Sequence, residues 1–285
     1  MTLQSLRDAV NWMTMSPYVW MSGLWTATII LLSWYLYTNT GMITAISAAL
    51  GLAFGIPAMI AGTYGIVLEN ESSYAIFRKY AVHCYFQQLL PSLLMFLIPW
   101  IISEFIFSLL MIANFDLIVS TQIAMFVFVP VVFFCYFSDV TAVMNDKRVF
   151  ESIKDSFLIV INGSSSMATF YMMNITLMMV GSFSGSFIFS MLATDACLPI
   201  ASMTDADILS LTPVELLAII SAPEIIFSGF MALTICAVIF VPLITLYKAC
   251  FFAKIRSHER LEIDNGTDAE SNGEYDEKGR WYKYK

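Results

Sequence analysis

Hydrophobic positions in this chain come in long unbroken runs. Six stretches, roughly 18–38, 43–68, 89–113, 119–144, 165–193 and 225–250, are each almost wholly apolar. A helix needs about 20 such residues to cross the hydrocarbon core of a bilayer, so the pattern predicts six transmembrane helices. A membrane β-barrel is excluded, because its strands alternate apolar and polar positions and do not run apolar throughout.

Three shorter segments have a different pattern. Residues 3–14 place Leu3, Leu6, Val10 and Met13 at helical spacing. Residues 73–87 place Phe77, Tyr80, Ala81, Cys84 and Tyr85 on one face, with Lys79, His83 and Gln87 on the other. Residues 147–162 gather Val149, Phe150, Ile153, Phe157 and Ile161 opposite Arg148, Glu151 and Asp155. One apolar and one charged face, with Lys or Arg at headgroup level, predicts amphipathic helices lying in the membrane interface. Each precedes two apolar runs. The expected layout is therefore all-α and polytopic: a six-span membrane domain, 1–256, of three repeats (about 1–70, 71–145 and 146–256), each an interfacial helix followed by two spans. Leu6-Arg7-Asp8, Phe77-Arg78-Lys79 and Ile153-Lys154-Asp155 occupy equivalent places in the units. The second span of each carries one matching proline, Pro57, Pro130 or Pro242, and Phe-Val-Pro recurs unchanged at the last two. A proline inside a helix removes one hydrogen bond and is expected to kink it.

Charge orients this layout. All fourteen Lys and Arg residues fall on the side of the N-terminal segment, the interfacial helices and the tail. The opposite connections carry only acids: Asp116, Asp195, Asp205, Asp207, Glu215 and Glu224. By the positive-inside rule both termini are expected in the cytoplasm, with the protein multi-pass in the cell membrane. The long acidic connection, about 194–224, holds the helix start Thr212-Pro213-Val214-Glu215 and predicts a short helix over 213–220. The cytoplasmic tail, 257–285, is acidic and polar and is expected to be largely disordered.

Composition narrows the function classes. A hydrophobic fraction of 59% rules out an ordinary soluble domain. The net charge of −8 comes mainly from the tail and the acidic loop, and no basic patch with exposed aromatics points to nucleic acid. Residues 1–17 lack the pattern of a cleavable signal, so the first span is expected to be retained. The five cysteines show no metal spacing. Phosphate-loop, zinc-protease and nucleophile-elbow motifs are all missing from the sequence, and no cofactor is expected.

Candidate chemistry lies in polar residues inside the spans, where each is a functional hypothesis by default. Glu104 lies more than halfway through the third run, with no Lys or Arg a helical turn away. Asp139, near the end of the fourth run, and Lys248, near the end of the sixth, fall at similar depth and could pair. Asn174 is midway along the fifth and could join Glu104 in a proton- or cation-handling centre. Gly51-x-x-x-Gly55 and Gly181-x-x-x-Gly185 permit close helix approach.

The segments Ser16-Pro17-Tyr18-Val19-Trp20-Met21-Ser22-Gly23-Leu24 and 145–157, Asn145 through Phe157, resemble a mostly archaeal group of six-span integral membrane proteins of uncharacterised function. That group is similar in layout to the membrane domain attached to some glycerophosphodiester phosphodiesterases. The catalytic barrel of those enzymes has no counterpart in this sequence, so the resemblance implies a membrane fold and no hydrolytic residues. The expectation is a non-enzymatic scaffold or accessory subunit, with the bilayer and a partner membrane subunit or a second copy as its contacts. The alternative is a small transporter or channel using the kinked spans and Glu104. A third reading, a lipid-modifying enzyme, requires Asp139, His83 and Lys248 to converge.

Overall fold

The computed structural model describes residues 1–126, 128–201, 203, 212, 221–271, 273–275 and 281–283. Helix α1, Thr2–Met15, leads through a 3-10 turn, Pro17–Trp20, into α2, Met21–Thr40. Then follow α3, Met42–Ala53; α4, Ile56–Glu69; α5, Tyr74–His83; and α6, Tyr85–Ile112. Helices α7, Leu117–Phe126, α8, Phe128–Cys135, and α9, Ser138–Met144, run in series before α10, Val149–Asn162. The chain continues as α11, Ser164–Leu192, α12, Thr194–Ala201, and α13, Pro223–Ser271. The helix expected over 213–220 lies outside the described residues.

The protein is an all-α polytopic membrane protein. Six stretches are long and apolar enough to cross a bilayer: Pro17–Thr40, Met42–Glu69, Tyr85–Ile112, Leu117–Met144, Ser165–Leu192 and Pro223–Ser257. They coincide with the apolar runs of the sequence to within a few residues, except that the last helix continues well past 250 into the tail. There composition gives no reason for a packed fold. The helix nevertheless runs on to Ser271, and Gly273–Tyr275 (β1) pairs antiparallel with Trp281–Lys283 (β2), Glu274 opposite Tyr282.

The amphipathic segments are helical as expected, and each docks differently. Helix α1 packs on α13 and α5 on α4, while α10 lies against α9, α6 and α8. Ser73 caps α5 by accepting from the Ala75 amide at 3.3 Å. Its Phe77 and Tyr80 rings lie on glycines of α4; a Cβ at Gly65 would stand 2.3 Å from the Tyr80 ring. Tyr80 donates to Glu69 Oε1 at 2.7 Å. Burial, and then this bond, push its phenol up to about 12. Helix α10 buries its small side, Ser152, Ser156 and Val160, while Phe150 is 79% exposed. Its larger apolar residues therefore face outward, where lipid would lie.

That serine face answers a backbone problem. The fourth span is broken between Cys135 and Ser138, and the second between Ala53 and Ile56. Freed backbone groups cannot be left bare in hydrocarbon. At the fourth-span break, Ser156 Oγ donates to Phe134 O at 2.6 Å and accepts from the Phe137 amide at 3.1 Å. The Tyr171 hydroxyl donates to Phe133 O at 2.5 Å. At the second-span break, Trp25 Nε1 donates to Leu52 O and the Tyr85 hydroxyl to Phe54 O, both at 3.0 Å.

The prolines bear on these breaks unequally. Pro57 sits in the first turn of α4, directly after the second-span break. Pro130 lies inside α8, and its span breaks a turn and a half later, at 136–137. Pro242 lies inside the continuous α13. Having no amide hydrogen, it leaves the Val238 carbonyl without its usual helical donor. Gly23 of α2 packs there so closely that a Cβ would stand 2.5 Å from Val238 O. Helix α6 carries two further internal prolines, Pro91 and Pro99, both on its buried side.

The core sits at the end of the bundle where α1, α5 and α10 lie. It joins Tyr64, Phe77, Phe170, Tyr247 and Phe251, from four helices, with Phe137 at the fourth-span break. Phe170 stacks on Phe251 at 4.3 Å and on Tyr247 at 4.9 Å between ring centroids. Such aromatic pairs add about 0.5–1.5 kcal/mol each beyond the area they bury.

Candidate functional site

Among the described residues, the densest polar cluster is built around Asp139. The break in the fourth span starts α9 at Ser138 and so puts this carboxylate in a helix's first turn, where exposed amides favour negative charge. Asp139 is 8% exposed and Lys248 6%. Lys248 Nζ donates to Asp139 Oδ1, forming a buried ion pair. The same oxygen accepts from the Val140 amide at 2.7 Å. Oδ2 accepts from Gln88 Nε2 at 2.9 Å and from the Tyr64 hydroxyl at 3.1 Å. Lys248 Nζ also lies 4.3 Å from the centroid of the Tyr136 ring, within cation–π range. The Tyr136 hydroxyl reaches Asn174 Oδ1 at 3.5 Å, and Asn174 Nδ2 donates to Phe170 O at 3.1 Å.

The second through sixth spans are tied together in this way at one depth. Both carboxylate oxygens are doubly engaged, so Asp139 has no lone pair left over for a substrate. Breaking such a pair from one side costs about 3–5 kcal/mol, because the surviving charge stays buried and unmatched. The cluster is chemically a clamp.

The sequence-predicted residues fall into two places. Asp139 and Lys248 meet as their depth suggested, and Asn174 joins them through Tyr136. Glu104 is elsewhere. It is exposed on α6, it makes no side-chain hydrogen bond or ion pair among the described residues, and no bond links it to Asn174. The buried side of that helix holds Gln88, Pro91, Pro99 and Ser103, with Ser103 Oγ donating to Ala124 O at 2.5 Å. His83 is exposed at the end of α5 and takes no part in the clamp.

Tyr64, Gln88 and Tyr136 were not foreseen. The one sequence signal was their position: each sits near the same end of a span as Asp139 and Lys248. Tyrosine there reads equally well as an interfacial anchor, and a lone glutamine near a span's end is unremarkable.

The small-residue motifs also separate. Gly55 faces the Trp25 indole, where a Cβ would approach to 2.6 Å, while Gly51 faces open space. Gly181 and Gly185 lie along α13 beside Phe240 and Cys236 and help line an open apolar crevice of about 710 Å³.

Comparison with protein-family models, curated proteins and solved structures finds no match.

Proposed function

We propose that this chain is a non-enzymatic membrane scaffold or accessory subunit, and that the exposed face of α6 takes a span of a partner membrane protein. One observation carries the reading. Among the described residues Glu104 has no side-chain partner, and it stands on that face among Trp100, Ile101 and Phe105, which are 49%, 61% and 64% exposed. Ionisable residues within spans almost always face a protein interior or water. A carboxyl group on an apolar outer face is an unfinished contact, and a partner span offering a donor at that depth completes it. The saturated Asp139 clamp supports the same reading, since it serves cohesion and leaves no oxygen for turnover.

The orientation belongs to this proposal. The basic end faces the cytoplasm by the positive-inside rule, with both termini there, in the cell membrane. The recurrence of an interfacial helix before each pair of spans supports three parallel repeats.

The test is crosslinking in native membranes. Ile101→Cys, treated with a membrane-permeant crosslinker, is expected to give a discrete higher-mass species that is lost when Glu104→Leu is added. Isolated monomer in every arm would overturn the scaffold reading. A cysteine placed at Arg78 and labelled from outside by an impermeant reagent would overturn the orientation.

A further inference from the structure

The three amphipathic helices repeat one arrangement of charge. Arg7 of α1, Arg78 of α5 and Lys154 of α10 hold corresponding positions, and all three are exposed. Among the described residues, none of them takes part in an ion pair or a side-chain hydrogen bond. The residue after each is engaged with another element. Asp8 pairs with Lys254 of α13 at 2.6 Å, Lys79 with Glu69 of α4 at 3.4 Å, and Asp155 with Lys147 of the connection before α10. One residue is about 100° of turn around a helix. A pair on one residue therefore helps to set the roll of the helix and leaves the preceding cation on its free side.

Large apolar side chains flank each cation there. Four residues earlier, on the same face, stand Leu3, Tyr74 and Phe150, 70%, 53% and 79% exposed. Three or four residues later stand Val10, Val82 and Leu158, also exposed. A cation between apolar side chains suits the level where hydrocarbon meets headgroups, because the apolar groups enter the lipid while the long stem carries the charge to the phosphates. Connectivity puts all three helices near that level. Helix α1 ends two residues before the first span, α5 fills the connection between the second and third spans, and α10 that between the fourth and fifth.

We infer that Arg7, Arg78 and Lys154 form three corresponding contacts for the headgroups of anionic phospholipids, one on each amphipathic helix. The inference is independent of the α6 contact and of which side of the membrane the basic end faces. Each cation near an anionic surface is worth about fivefold in affinity. Glu151 works against the third contact. It is exposed three residues before Lys154 and forms no ion pair with it, so its charge repels a phosphate there.

The experiment titrates the full chain, in neutral detergent, with phosphatidylglycerol or phosphatidylcholine and counts bound lipid by native mass spectrometry. Phosphatidylglycerol is expected to bind in preference. Replacing one of the three cations by glutamine should weaken one contact about fivefold, and replacing all three should remove the preference. Glu151→Gln should strengthen it. Because that change and Lys154→Gln act in opposite directions, a shared loss of folding cannot produce both, and the thermal midpoint without lipid checks this. Inorganic phosphate is expected to leave the preference intact, since it brings no acyl chain to the apolar neighbours; full competition by phosphate would overturn the lipid assignment. Equal uptake of the two lipids, or a preference that survives the triple substitution, would overturn the contacts themselves. Should the triple variant fail to fold, Glu151→Gln decides the matter: no gain in phosphatidylglycerol uptake would overturn the third contact.

Discussion

The two ends of this bundle are built on different principles. At the basic end, the second through sixth spans are tied by the Asp139 clamp, and Phe170, Tyr247 and Phe251 stack into a closed core. Toward the acidic end large apolar side chains stand uncovered: Ile43 at 84%, Ile112 at 78%, Phe126 at 76% and Phe183 at 71% exposure. Helices gain nothing by hiding apolar surface from lipid tails, which are as apolar as leucine. Cohesion then requires groups that lipid cannot satisfy, namely charges, freed backbone carbonyls and close glycine contacts. The basic end has most of these. Among the described residues, the acidic end shows fewer of them.

The sharpest way to break this contrast is to remove half of the clamp. Asp139→Ala or Lys248→Ala should each cost about 3–5 kcal/mol, seen as loss of the monodisperse species at much lower temperature in detergent. The double variant Asp139→Leu with Lys248→Met should recover most of that loss. If the single variants melt like the parent, the clamp does not hold the bundle.

Glycine contacts come next. Gly23→Leu drives a side chain into the Val238 carbonyl and should cost about 1–3 kcal/mol by overpacking. Gly51→Leu meets only open space and should stay within about 0.5 kcal/mol. Equal effects at the two positions would erase the distinction between a packed and an unpacked side of the first two spans.

Ser156→Ala should cost about 1–2 kcal/mol, because the Phe137 amide and the Phe134 carbonyl both lose their partner at the fourth-span break. Amide hydrogen exchange around 133–138 should rise in that variant while exchange in α6 stays unchanged. Glu104→Leu should have the smallest effect on the isolated protein, within about 0.5 kcal/mol. A large destabilisation in detergent would mean that Glu104 already has a partner within the chain.

Much of the architecture was legible because it is local. The apolar lengths of the spans and the two-faced segments at α1, α5 and α10 are one-dimensional properties, read correctly from residues a few positions apart. The candidate site was legible only in part. Depth along a span can be counted, so Asp139 and Lys248 could be matched across 109 positions of chain. The direction in which a side chain points cannot be counted. Glu104 looked like a lining residue by its depth and turns outward in the structure, and α10 buries serines where its pattern emphasised phenylalanines.

By itself, the sequence determined which segments are long and apolar enough to cross the membrane, which form two-faced helices and where the charges gather. Bilayer and water sort each segment by its own hydrophobicity, whatever its neighbours are. Only the tertiary structure decided where the second and fourth spans break, which hydroxyls cover the freed carbonyls, and that Tyr64 and Gln88 complete the shell around Asp139. Those choices depend on groups 19 to 75 positions apart meeting within hydrogen-bonding distance. In a solvent that does not drive helices together, such specific long-range contacts select the packing.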